Sequence, residues 1–192
     1  MADHQVPDAR TALFRAGILL LLFTGISGIL YLLFGDQLEE AGEWLSRTLG
    51  YPGVFLFVYL IDTFIVPATG DIVFFFTREW DPAALLTVLS AASISGGFCG
   101  FLIGKFLVHL PWVHEMTSYY RKRGSRLIER YGIWAVALAA FTPLPYSTIS
   151  WIAGMLGLPS DRYLLASLLR IPRFILYYLA IRGSTEILET IF

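Results

Sequence analysis

The sequence predicts an all-α integral membrane protein. Three observations carry the prediction. Of 192 residues, 56% are hydrophobic and 15% charged, with a mean hydropathy of +0.65; soluble domains carry about 25% charged residues. The apolar residues gather in long runs, not in alternation. The few charges inside those runs stand beside prolines and glycines, where a helix would break. The length suits one domain. A formal net charge of -1 gives no overall basic bias toward nucleic acid.

The first element is Gly17–Phe34, uncharged and long enough to cross a bilayer. The residues after it, "GDQLEE", hold no small-x-small cleavage pattern, so it is expected to be a retained span and not a cleaved signal. With the N-terminal tail it makes up residues 1–35. Next, "DQLEEAGEWLSRTLG" is amphipathic. Leu38, Ala41, Leu45 and Leu49 share one face, and Glu39, Glu40, Glu43 and Arg47 the other, before Gly50 and Pro52 stop the helix.

Residues 52–76 are apolar but interrupted by Asp62, Pro67, Gly70 and Asp71. Proline removes a backbone donor and clashes with the preceding turn. In lipid, broken backbone survives only when buried in protein or lining a wet cavity. The stretch is therefore expected to be a re-entrant hairpin of two half-helices, each ten or so residues or about 15 Å long. Ala83–Gly104 follows, uncharged, with Lys105 placed to snorkel; this span covers about residues 83–108 and at ~1.5 Å per residue matches a ~30 Å core. Gly96, Gly100 and Gly104 fall on one face of it, a small-xxx-small pattern for close packing against a hairpin arm or another subunit.

The second half repeats the order. Residues 111–132 make a looser amphipathic stripe (Trp112, Met116, Tyr120, Leu127, Tyr131) beside a basic face suited to the membrane interface. Residues 133–158 are a second broken stretch, with Pro143 and Pro145 two apart in "FTPLPYSTIS". Residues 163–181 are a last span containing Arg170, Pro172 and Arg173. The result is an inverted repeat of amphipathic helix, re-entrant hairpin and transmembrane helix, preceded by one N-terminal span, an arrangement that places a site at the midplane. With the N-terminus inside, hairpins put eight basic residues on the cytoplasmic side (Arg10, Arg15, Arg121, Lys122, Arg123, Arg126, Arg130, Arg162) and three outside (Arg47, Arg78, Arg182). The positive-inside rule prefers this narrowly over five full spans with the N-terminus outside.

The chemistry-bearing residues are those that cost most at membrane depth. Asp62 and Asp71 need a cavity or a partner there, and either gate the protein or carry protons; Asp71, after Gly70, has capping an apolar half-helix as its alternative. Arg170 and Arg173 offer forked donors to phosphate, or else pair with the acids or snorkel to an interface. At the hairpin tips, Pro67, Gly70, Thr142, Pro143, Pro145 and Ser147, with Tyr146, Thr148 and Ser150, either replace head-group water or satisfy the freed backbone. Cys99 is alone and makes no internal disulfide. His4, His109 and His114 have no ligand spacing, so no metal is expected, and no G-x-x-x-x-G-K-[ST] loop is present for nucleotide. No cofactor is expected. Without a serine–histidine pair at depth, an enzyme is not expected either.

"DTFIVPATGD", the glycine-rich span, and "RYGIWAVALAAFTPLPYSTISWIAGMLGLPSDRYLLASLLRIPRFILYYLAIRG" together resemble the DedA family, also called the VTT or SNARE-associated domain, nearest its short YqaA-like branch. The resemblance runs from about Gly50 to Gly183, within a membrane domain taken as residues 36–192. It implies a multi-pass inner-membrane protein with two opposed hairpins, whose partners are membrane lipids. It implies lipid translocation, either scrambling of phospholipid or return of undecaprenyl phosphate, in some members proton-coupled, with Asp62 and Asp71 as the hairpin acids. Many members carry R-F-x-P-x-x-R at the second hairpin. This chain has "FTPLPYS", with Thr142 and no arginine, leaving Arg170 and Arg173 on the next span as substitutes. Rival expectations are a proton-coupled transporter of small ions or solutes, and an assembly protein using Gly96–Gly104; a homo-oligomer fits either.

Overall fold

In the computed structural model the described residues are 25, 29, 32–66, 70–77, 79–111, 113–114, 132–142 and 144–191, with side chains described to 181. Most of the expected first span, the basic amphipathic stretch, Pro67 and Pro143 lie outside them. All regular structure among the described residues is helical.

Helix α1 covers residues 32–49, so the end of the first apolar run continues without a break into the amphipathic stretch. Its outer face carries the expected i,i+4 pair, Arg47 Nη2 to Glu43 Oε1 at 2.5 Å. Gly50 ends it at φ +62°, a left-handed conformation that glycine adopts without strain, and its N–H bonds the Ser46 carbonyl. Helix α2, Tyr51–Thr63, starts at once with Pro52 in its first turn. At 13 residues it is about 20 Å long, too short for a ~30 Å core. It stops at Phe64, which is extended.

The return arm is shorter than the expected ten residues. It is a 3-10 turn, Gly70–Ile72, running into α3, Val73–Phe76. Thr77 ends the arm by donating its hydroxyl to the Val73 carbonyl (2.8 Å), and five residues later α4 begins. Helix α4, Pro82–Leu107, is the long central element. Asp81 caps it, accepting from Ala84 N–H at 2.8 Å, and Pro82 fills the first helical position, where no donor is needed.

The second broken stretch is more even. Helix α5 is Gly132–Phe141 and α6 is Tyr146–Met155, ten residues each and about 15 Å long. Helix α6 ends in a Schellman motif: Gly157 at φ +80°, its N–H on the Gly154 carbonyl, and Leu158 N–H on the Ala153 carbonyl. Leu158 is buried, as that motif's apolar contact wants.

The last span is not the single helix expected over 163–181. Helix α7, Ser160–Ser167, and helix α8, Arg170–Ile191, are separated at Leu168–Leu169. Pro172 is the reason: it has no N–H for the Leu168 carbonyl. The chain tightens, with Leu169 N–H on Ala166 and Ile171 N–H on Leu168, and restarts so that Pro172 sits in the first turn of α8.

Helix α4 packs chiefly against α2 and α6. Its contacts with both are backbone-close. A Cβ on Gly96 would lie 2.5 Å from the Tyr59 carbonyl, and one on Gly104 or Gly154 would strike the main chain of Trp151 or Phe101. The glycine face is thus filled from within the chain. One apolar cluster joins α2, α3, α4 and Phe174; a second joins Phe101 with Val136, Tyr146, Leu158 and Tyr163. Outward faces remain apolar: Leu102, Phe106, Leu165, Ile175, Leu176 and Leu179 are all exposed. Two helical stretches, Pro82–Leu107 and Ser160–Ile181, are long and apolar enough to cross a membrane. An uncovered apolar belt of that kind suits a lipid surround.

Candidate functional site

The helix breaks bring four charged residues together. Asp62 comes from the last turn of α2, Asp71 from the 3-10 turn of the return arm, and Arg170 and Arg173 from the first turn of α8. Arg170 Nη2 donates to Asp62 Oδ1 at 2.6 Å. Arg173 Nη2 donates to Asp71 Oδ2. The second oxygen of Asp62 accepts from the Ser93 hydroxyl of α4 at 2.5 Å.

Neither arginine snorkels. Their side chains are 2% and 1% exposed, so that alternative is excluded by burial. Nor does Asp71 cap α3: the residue before that helix is Ile72, and no side chain caps it. A 3-10 turn at Gly70–Ile72 turns the Asp71 carboxylate to the guanidinium instead.

The two pairs differ in closure. The Asp62 side chain is 5% exposed, that of Asp71 13%. Asp71 Oδ1 and the Nε atoms of both arginines have no hydrogen-bond partner among the described residues. The site therefore holds donors and an acceptor not used by its own ion pairs. Its formal charge, two guanidiniums against two carboxylates, sums to zero.

Aromatic rings complete the setting. The Arg170 guanidinium lies 4.1 Å from the Tyr146 ring centroid and 5.7 Å from that of Phe174; Arg173 lies 5.1 Å from that of Tyr177. A buried cation over a ring face is held by its quadrupole as well as by its counter-ion.

Of the other residues singled out in sequence, Gly70 packs beside the site, where a Cβ would meet Val58 Cγ1 at 3.0 Å and Phe174 at 3.8 Å. Ser147 is buried on α6. Thr142 turns away from any shared site and donates to its own helix, at the Leu138 carbonyl, 2.5 Å. Pro145 immediately precedes α6. Gly96, Gly100 and Gly104 serve packing. Sequence reasoning missed Ser93, Tyr163 and Trp151. Ser93 had a faint signal, a small polar residue three positions before the glycine pair of α4; the other two had none, being ordinary aromatic residues in apolar runs.

The sequence pattern of the VTT domain matches residues 52–183. The Golgi apparatus membrane protein TVP38 of Debaryomyces hansenii is 27% identical over 174 residues, covering 82% of this chain and 43% of that protein. An uncharacterized protein of Haemophilus influenzae is 23% identical over 155 residues, 75% of this chain and 78% of its own length. A 45-residue stretch, 23% of this chain, is 40% identical to 28% of an uncharacterized protein of Methanocaldococcus jannaschii. The chain thus spans less than half of the TVP38 and archaeal relatives. No solved structure matches.

Proposed function

The chain belongs to the VTT-domain family, that of the DedA membrane proteins, and on that premise we propose that it moves a phosphate-bearing lipid, a phospholipid or undecaprenyl phosphate, between membrane leaflets. The observation that carries this reading is the pair of buried arginine–aspartate contacts at the breaks of α2 and α7–α8. A guanidinium binds carboxylate and phosphate through the same fork of donors, so a phosphate can take the place of a carboxylate without rebuilding the site. Protonation of Asp62 or Asp71 would release the arginine to the head group. Departure of the phosphate would return it to the acid. The exchange links lipid movement to protons and needs no nucleotide, cofactor or metal.

The short α2 and the ten-residue α5 and α6 support two re-entrant hairpins over about 52–76 and 133–158. In this reading they are opposed halves of an inverted repeat whose tips thin the barrier for a head group while the acyl chains stay in lipid. The setting is a multi-pass protein of the cytoplasmic membrane. The assembly reading is weaker because the glycine face it would use is occupied by α2 and α6.

Purified protein in liposomes with a head-group-labelled phospholipid and, separately, labelled undecaprenyl phosphate tests this. Quenching of the outer leaflet beyond half is expected for one of them, at rest or under an imposed proton gradient, and Asp62→Asn should remove it. No exchange of either lipid by folded protein under both conditions would sink the lipid reading. Proton movement driven by a small solute instead would establish the rival transporter.

A further inference from the structure

Three hydroxyls stand beside the site without belonging to it. Tyr163 Oη lies 2.9 Å from Tyr146 Oη and 2.7 Å from Ser150 Oγ, and Ser150 Oγ donates to the Tyr146 carbonyl at 2.8 Å. All three side chains are buried. Each hydroxyl has one proton. The three hydroxyls and the Tyr146 carbonyl thus form one buried hydrogen-bonded chain whose links reinforce one another. The Tyr146 ring that it holds lies under the Arg170 guanidinium.

The ring cannot drift. On one side it lies against Gly97 of α4, where a Cβ would be 2.6 Å from Tyr146 Oη. On the other, Tyr163 is pinned by a stack on Phe101, centroids 4.4 Å apart. Arg170 thus has two independent holds, the Asp62 carboxylate from the first broken segment and the Tyr146 ring from the second.

We infer that Tyr146 is the positioning residue for Arg170, its ring oriented by the Tyr163–Ser150 hydroxyl chain so that the guanidinium stays aimed when Asp62 lets go. The inference rests on the proposed role of Arg170 as phosphate ligand, and it assigns the second hairpin a task in that role. In this role Tyr146 acts through Arg170 and not on the head group itself. It removes the freedom a released arginine would otherwise regain, which is a contribution to head-group affinity and not to turnover.

Two readouts test it. The first is stability in the Asp62→Asn background, where Arg170→Met strands no carboxylate. Unfolding in detergent is followed for Tyr146→Leu, Arg170→Met and the double variant. Coupling is expected, Tyr146→Leu costing more while Arg170 is present than after Arg170→Met; equal costs in the two backgrounds would reduce Tyr146 to packing and overturn the inference. The second is exchange in phosphatidylcholine vesicles carrying rising fractions of head-group-labelled phosphatidylethanolamine or undecaprenyl phosphate, whichever the protein moves. Tyr146→Leu should raise the half-saturating fraction roughly tenfold with the maximal rate kept, and Tyr146→Phe, which keeps the ring, no more than about threefold. A lowered maximal rate at unchanged half-saturation would overturn the positioning role. A wild-type protein that exchanges neither lipid sinks the transport reading alone, and the stability cycle then decides the positioning of Arg170 by itself.

Discussion

The indole of Trp151 donates to the main-chain carbonyl of Thr63, 2.8 Å away, so the second broken segment caps the end of the first. The Thr63 hydroxyl in turn donates to the Gly96 carbonyl of α4 at 3.2 Å. A helix that ends away from water leaves its last carbonyls without partners. Here one of them is satisfied from 88 residues away. Trp151→Phe keeps the aromatic volume and removes the donor. The expected loss is about 1–3 kcal/mol of stability, read from unfolding in detergent. An unchanged unfolding curve would mean that the Thr63 carbonyl finds water.

The same corner makes a second forecast. A Cβ on Gly104 would strike the main chain of Trp151, which cannot rotate away. Gly104→Ala should cost about 1–3 kcal/mol or more, as overpacking does. Cys99→Ala on the same helix removes a half-buried sulfur and adds nothing, and should fall well below it. Equal losses at both positions would remove the case for backbone-close packing between α4 and α6.

Two kinds of ion pair among the described residues should behave differently. Arg47–Glu43 is exposed on both sides, and Glu43→Gln should change stability by no more than about 1 kcal/mol. Asp62→Ala strands the Arg170 charge in a closed site, and a loss of about 3–5 kcal/mol is expected. Replacing both, as Asp62→Leu with Arg170→Met, should restore most of that stability while lipid exchange stays absent. A double variant that still moves lipid would show that this pair is structural only.

Topology has a direct test. If α2 and the Gly70–Phe76 arm form a hairpin, single cysteines at Arg47 and Glu79 in a Cys99→Ala background label from the same side of sealed vesicles. Labelling from opposite sides would make residues 52–76 a crossing and leave only the second hairpin.

What the sequence revealed and what it hid divide by range. The central span and the two broken stretches were legible because hydropathy and proline act locally: Pro82–Leu107 and the ten-residue α5 and α6 lie where the runs and breakers placed them. Asp62, Asp71, Arg170 and Arg173 stood out because a charge in an apolar run needs a reason. Their pairing did not stand out. Asp62 and Arg170 are 108 residues apart, and nothing in either segment names the other. Asp71 read equally well as a cap, since Gly-Asp before an apolar arm looks alike in both roles. The division of the last span into α7 and α8 was hidden for a different reason. Pro172 was visible, but hydropathy does not register a two-residue turn whose flanks are equally apolar. Tyr146, Tyr163 and Ser150 were missed as a unit because their relation is a matter of hydroxyl protons, which only proximity reveals.

The zero sum of Asp62, Asp71, Arg170 and Arg173 has an electrical consequence. A membrane potential does work on net charge, about 2.3 kcal/mol per elementary charge for each 100 mV crossed. An unloaded site that shifts its exposure from one leaflet to the other carries no net charge with it, so voltage neither drives nor opposes its return. In the proposed transport any current would then belong to the loaded step, and its size would report the difference between the charge of the cargo and the protons that travel with it.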